Sequence, residues 1–164
     1  HLDAETRLRL IQALSGASGI HGMVGGQVRD MAGEQLALSL PELTEMHALK
    51  TGALIEFSAA SGAIIEGNRS NLETTLRAFG AKLGLAFQVQ DDILDETSST
   101  EILGKQQGSD RAKAKSTFVS LLGLKAAQGH LSDLIEGARH VLAHPQLDAD
   151  NLSKLVHYIA QRKY

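Results

Sequence analysis

The sequence predicts an all-α protein, and three observations predict it. Apolar residues make up 43% of the 164 residues, with Leu and Ala prominent and aromatics at only 4%; Leu and Ala are strong helix formers. Only two prolines, Pro41 and Pro145, interrupt the chain. Apolar positions recur at three- and four-residue spacing in window after window, the period of a helix with one buried face. The length allows one domain, residues 1–164, with a real core. The 16 glycines mark helix breaks or close helix contacts.

Composition also removes several functions. A formal charge of −3 and the lack of any Lys/Arg stripe give no sign of a nucleic-acid partner. There is no cysteine, so disulfides and thiol catalysis are excluded, which fits a cytoplasmic protein. No apolar run approaches the length of a membrane span, so no stable membrane insertion is expected. The chain opens on His1 and Leu2, as the latter part of something longer would.

Residues 2–14 read as the first helix, with Asp3 as its cap and Leu10, Ala13 and Leu14 on one side; Ser15-Gly16-Ala17-Ser18-Gly19 ends it. A second helix over residues 20–38 puts Met23, Val24, Val28 and Met31 on apolar positions and Gln27, Asp30 and Glu34 on a polar stripe. Gly25-Gly26 permits close approach of a helix or a ligand; the plainer reading is a solvent stripe with glycines for packing. Pro41 falls in the first turn of the next helix, which carries Leu43, Met46, Ala53, Leu54, Phe57, Ala60 and Ile64. Lys50-Thr51-Gly52 interrupts this apolar helix, offering a cation and a donor to a phosphate, unless Lys50 merely snorkels.

A central helix is expected over residues 70–95, after a loop at Gly67-Asn68-Arg69. Residues 96–116 form a polar, glycine-punctuated loop with Lys105, Arg111, Lys113 and Lys115, expected to be mobile and to close over a site as a lid. It is no P-loop, since the strand and the motif spacing are missing. Helices over 118–128, 131–143 and 150–161 follow, then the basic residues Arg162 and Lys163. The seven histidines are scattered without metal-ligand spacing and read as surface or capping residues.

The chemistry concentrates in Phe87-Gln88-Val89-Gln90-Asp91-Asp92-Ile93-Leu94-Asp95. On a helix Asp91 and Asp95 share one face, Asp92 flanks them, and Gln88 lies one turn earlier. Three carboxylates repel one another, and they sit near a helix C-terminus, where the dipole disfavours anions. Mg²⁺, a hard ion that takes carboxylates, waters and phosphates, would relieve this. The bland alternative is a solvated acidic helix end; the apolar turns before it, Leu83-Gly84-Leu85-Ala86, argue instead for a buried helix ending at a cavity or interface.

Four stretches now stand in order: Gly25-Gly26-Gln27-Val28-Arg29-Asp30, His47-Ala48-Leu49-Lys50-Thr51-Gly52-Ala53, Gly84 through Asp95, and Leu103-Gly104-Lys105 with Gly108, Asp110 and Lys115-Ser116-Thr117-Phe118. Together they resemble the trans-prenyl diphosphate synthase family, the short-chain bacterial farnesyl type most of all. The resemblance implies an all-α isoprenoid synthase bundle around a deep cavity, of which this chain looks like the C-terminal part. It implies a cytoplasmic homodimer that joins isopentenyl diphosphate to an allylic diphosphate, dimethylallyl or geranyl, giving farnesyl diphosphate or a similar short-chain product. Mg²⁺ would be held most directly by Asp91, with Asp92 and Asp95 acting directly or through waters. Lys50 and Lys105 would bind the allylic diphosphate, and Thr51 and Gln88 would line the place where the allylic cation forms. Gln27 and Asp30 would face the same cavity. Phe87, Arg162 and Lys163 would serve the isopentenyl diphosphate side, and Lys115 is a further substrate-binding candidate.

One departure matters. The family carries a first Asp-rich motif followed by paired arginines, and neither is present; Asp91-Asp92 is the only adjacent Asp pair. Residues 1–164 alone are therefore expected to lack activity. The alternatives are another class I isoprenoid enzyme such as a terpene cyclase, or a non-catalytic partner subunit or interaction domain.

Overall fold

Helix α1 (Ala4–Ser18) begins where Asp3 accepts the Thr6 backbone N–H at 2.8 Å, the expected cap. This computed structural model describes residues 1–33, 36–67, 70–97, 115–145 and 147–162. Among them there are α2 (Met23–Gly33), α3 (Leu40–His47), a five-residue π-helical turn (Ala48–Gly52), α4 (Ala53–Glu66), α5 (Ser70–Thr97), α6 (Phe118–Leu122), α7 (Leu124–Leu142) and α8 (Asp150–Gln161). The all-α expectation holds, with no strand among the described residues.

Helix α5 is the axis of the bundle. Its apolar residues recur at three and four, so successive turns bury Leu72, Leu76, Phe79, Leu83, Ala86, Val89 and Ile93. The first two pack with Ala60 and Ala63 of α4. Phe79, Leu83 and Ala86 meet Ile135, Ala138 and Leu142 of α7 and Val156 and Ile159 of α8. Val89 and Ile93 meet Leu43 and Met46 of α3, Phe118 of α6 and Ala127 of α7. Burying one such side chain stabilises the fold by roughly 1.5–3 kcal/mol, so the functional end of α5 is held by the same packing as its middle.

Glycines set the closest approach. A Cβ on Gly84 would lie 2.8 Å from Gly52 Cα, and one on Gly26 would lie 2.5 Å from Lys50 Cα. The π turn is thus clasped between α2 and α5, and of the two meanings offered for Gly25-Gly26, close helix approach is the one realised.

Four expectations need correction. The break after Phe118 comes at Gly123, whose φ of +80° suits glycine, and α7 runs unbroken through Gly129. Helix α2 stops at Gly33, and its buried residues are Gly25 and Gly26, while Val24, Val28 and Met31 are exposed; the glycine face takes the contact with the π turn and turns the apolar stripe outward. Helix α5 continues through Glu96 and Thr97, so the expected loop starts later; its residues 98–114, Lys105 among them, lie outside the described residues, as do Glu34, Asn68, Arg69 and Lys163. Finally, the π turn joins α3 and α4 into one run, Leu40–Glu66, long and apolar enough by length and composition to cross a membrane. Reading apolar runs one by one missed it. In the fold it lies along α5 and α1 as a bundle helix.

Replacing Gly84 with Ala should destabilise the fold by about 1–3 kcal/mol from overpacking against Gly52, more than the ~1 kcal/mol that helix propensity returns. Chemical denaturation of the variant beside the wild type reads this; equal midpoints would show that the contact can relax.

Candidate functional site

The three aspartates of α5 are not equivalent. The Asp91 side chain is half exposed, whereas Asp92 and Asp95 are buried. The expected shared open face is therefore divided, because the chain returning at Ser116–Phe118 covers the Asp92 side of the helix. There the Phe118 backbone N–H donates to Asp92 Oδ2 at 2.7 Å, a charge-assisted bond to the first N–H of α6, beside the Thr117 cap that takes the Ser120 N–H. On the other side of this return the Leu38 N–H donates to Ser116 Oγ at 3.0 Å, tying it to the approach of α3.

Opposite Asp91 stands the π turn. Such a turn inserts one residue into a helix and re-aims side chains. Here it delivers Lys50 and Thr51 beside α5. The Thr51 hydroxyl donates to Gln88 Oε1 at 2.5 Å. Lys50 Nζ donates to Asp30 Oδ2 at 2.6 Å, and Lys115 Nζ donates to Asp30 Oδ1 at 3.3 Å. Burial pushes the Asp30 carboxyl up, but the hydrogen bond and charge of Lys50, then those of Lys115, outweigh it and hold it below its ordinary value.

The C-terminal end completes the group. The Arg162 guanidinium lies 4.0 Å from the centre of the Phe87 ring. It donates to the Phe87 carbonyl at 2.9 Å and to Asp91 Oδ1 at 3.2 Å. Gln90, itself buried, donates to the Arg162 carbonyl at 3.1 Å. Phe87 and Arg162, expected on a side of their own, thus reach the acidic end of α5 directly.

The structure brings together Asp30, Lys50 and Lys115 in one cluster, Thr51 and Gln88 in a pair, and Phe87, Asp91 and Arg162 in a further group along α5. Gln27 stays exposed on α2. A separate groove of about 430 Å³, lined by Leu40, Thr44, Leu85, Leu122 and His130 among others, contains none of these residues.

His47 was not expected here. It stacks on Phe118 with ring centroids 5.8 Å apart, and among the described residues its buried Nδ1 has no hydrogen-bond partner. Burial first, then the neighbouring Lys50 charge, push its pKa down to about 4. It is neither a surface nor a capping residue, as the scattered histidines had been read. The available signal was its place three residues before Lys50 on an apolar helix face. Phe118, which joins His47 to Asp92, closes the Lys115-Ser116-Thr117-Phe118 stretch, which marks it without revealing these contacts.

For a hard cation, Asp91 is a fitting ligand: an accessible carboxylate, which Mg²⁺ complements with waters and phosphate oxygens. Asp92 has one oxygen committed to the backbone. Among the described residues no group of three His, Cys, Asp or Glu side chains stands ready to hold a metal.

Comparison of the sequence and fold with known proteins gives the family. The polyprenyl synthetase family model matches residues 2–150, and the chain belongs to that family. It is 46% identical over 162 residues to the farnesyl diphosphate synthase of Micrococcus luteus, covering 98% of this chain and 55% of that protein. With the farnesyl diphosphate synthase of Bacillus subtilis (strain 168) it is 41% identical over 163 residues, covering 99% and 55%. Among solved structures, geranylgeranyl pyrophosphate synthetase from Pyrococcus horikoshii Ot3 superposes with a TM-score of 0.89 at 26% identity, over 99% of this chain and 61% of that one. The geranyltransferase of Helicobacter pylori, solved with magnesium and isoprenyl diphosphate, gives 0.80 at 36% identity, over 96% and 52%. The chain spans about half the length of the curated relatives it matches.

The depressed His47 pKa has a pH consequence. In the unfolded chain the imidazole takes a proton near its ordinary 6.5, and in the fold only near 4. Stability is therefore full above about pH 6.5 and falls as pH drops toward 4, by up to about 3 kcal/mol from this group. Unfolding midpoints between pH 7 and 4 should fall more for the wild type than for His47→Gln; parallel curves would remove His47 as the cause.

Proposed function

We propose that this chain forms the allylic-diphosphate half of a prenyltransferase that condenses isopentenyl diphosphate with dimethylallyl or geranyl diphosphate, giving farnesyl diphosphate or a similar short-chain product. One observation carries the reading: the π turn sets Thr51 against Gln88 of α5 and Lys50 against Asp30 of α2. Cation, dipoles and the open carboxylate of Asp91 on α5 are the parts that ionisation of an allylic diphosphate needs.

Lys50 takes an oxygen of the allylic diphosphate, and Lys115 stands beside it through Asp30. Thr51 commits its proton to Gln88, so its hydroxyl oxygen presents lone pairs, which favour a developing carbocation. Phe87 and Arg162 serve the isopentenyl diphosphate, with Arg162 leaving Asp91 to do so. Mg²⁺, held by Asp91 and the leaving diphosphate when bound, would supply the neutralisation of charge as the C–O bond breaks. No side-chain nucleophile is required.

The reading carries with it a cytoplasmic homodimer. The cysteine-free sequence fits the location. Helix α1 buries no residue, and Leu8, Ile11, Val28 and Met31 are 53–64% exposed on α1 and α2, an apolar face of the kind that subunits cover.

In the complete enzyme Asp91→Ala should cut turnover by orders of magnitude at saturating Mg²⁺; near-normal turnover would remove Asp91 from the site. Lys50→Ala should weaken allylic diphosphate binding about ten- to a hundredfold, as loss of a charge-assisted contact does, and isopentenyl diphosphate binding far less. Equal losses would show Lys50 serving both substrates. Residues 1–164 alone, supplied with geranyl diphosphate, isopentenyl diphosphate and Mg²⁺, should yield no elongated product, because a single carboxylate cluster clamps the leaving group from one side. Product at a rate near that of a full-length relative would contradict this.

A further inference from the structure

Building on the diphosphate reading above, we propose that Asp30 is a resident counter-anion. It holds the Lys50 and Lys115 ammonium groups together when no ligand is present and yields them to an incoming diphosphate oxygen. It thereby sets the site's anion affinity without touching substrate itself.

The two lysines come from distant parts of the chain, and Asp30 of α2 stands between them. Each carboxylate oxygen is spent on a different cation, Oδ2 on Lys50 at 2.6 Å and Oδ1 on Lys115 at 3.3 Å. The carboxylate thus spans the pair as two oxygens of one phosphate group would. Its side chain is 14% exposed, against 32% for Lys50 and 25% for Lys115, so the acid is the inner member and the cations hold the open side. An acid in an anion site must serve either a metal or the cations around it. Here both oxygens already face lysines, which assigns the second role. His47, next to Lys50, stays neutral at physiological pH and adds no charge of its own.

Removing the carboxylate has two opposed effects. Loss of a competing negative charge tightens anion binding, while loss of the bridge lets two like charges drift apart and loosens it. The first dominates for Lys50, because its backbone is fixed independently of Asp30. It lies in the π turn and packs directly on Gly26.

The experiment is calorimetric titration of the purified protein with inorganic diphosphate at neutral pH, with and without Mg²⁺. The wild type is compared with Asp30→Asn, Lys50→Gln and the double variant. Asp30→Asn should bind metal-free diphosphate about three- to tenfold tighter than the wild type. In the Lys50→Gln background the same change should shift affinity less than about twofold, because the competition acts through Lys50. Tighter binding is an outcome that mere loss of structure does not produce. Should Asp30→Asn fail to fold, Asp30→Ser removes the charge with a smaller side chain and carries the same expectation. Unchanged or weaker binding by a folded neutral variant, beside a wild type that binds diphosphate, overturns the counter-anion role and leaves the diphosphate reading standing. No binding by the wild type even with Mg²⁺ overturns the diphosphate reading itself.

Discussion

The contact on which the rest depends is the close passage of α5 over the π turn, where Gly84 meets Gly52 and, one turn further on, Gln88 meets Thr51. Backbones this near leave no space for a side chain, and beyond the glycines the Thr51–Gln88 hydrogen bond closes the gap. That bond fixes the rotation of α5 relative to the helix run from Leu40 to Glu66. Once the rotation is set, Leu83, Ala86 and Val89 must point into the core and Asp91 must point out. The position of the chemistry thus follows from glycine packing together with one contact between two residues of the candidate site, Thr51 and Gln88.

The same geometry sorts the carboxylates. At about 100° per residue, Asp95 lies only about 40° round the helix from Asp91 and Asp92 about 100° from it, so what separates the three is their neighbours and not the helix itself. Asp91 stays accessible. Asp92 is drawn instead to the Phe118 N–H, where a helix N-terminus offers an unpaired donor. Its bond also fixes the Phe118 ring against His47, which precedes the π turn. Acid, ring and imidazole form a bridge from the end of α5 back to Lys50, so the two halves of the site are braced from two sides.

The bundle is well packed around α5 and open along α1 and α2. Helix α1 joins mainly α4, and α2 mainly the π turn, which leaves their outer apolar faces to water. Such faces weaken an isolated chain and favour association.

Much of this was legible in the residues. The 3.6-residue recurrence along Leu72 to Ile93 determined α5 as a buried helix, because a helix must pack an apolar stripe. Asp3 determined the start of α1, and Lys50-Thr51-Gly52 with Asp91-Asp92 marked where polar groups interrupt apolar helices. Four motifs in order determined the family. What the sequence left open was every choice that depends on a distant neighbour. The break at Gly123 and not Gly129 required a positive φ that spacing does not reveal. The split of Asp92 from Asp91, the burial of His47 against Phe118, and the bridge from Asp30 to Lys50 and Lys115 all join residues far apart in the chain. Periodicity specifies which face of one helix is apolar. Only packing against other helices decides which polar group on that helix finds a partner, because the partner's place is set by the whole bundle.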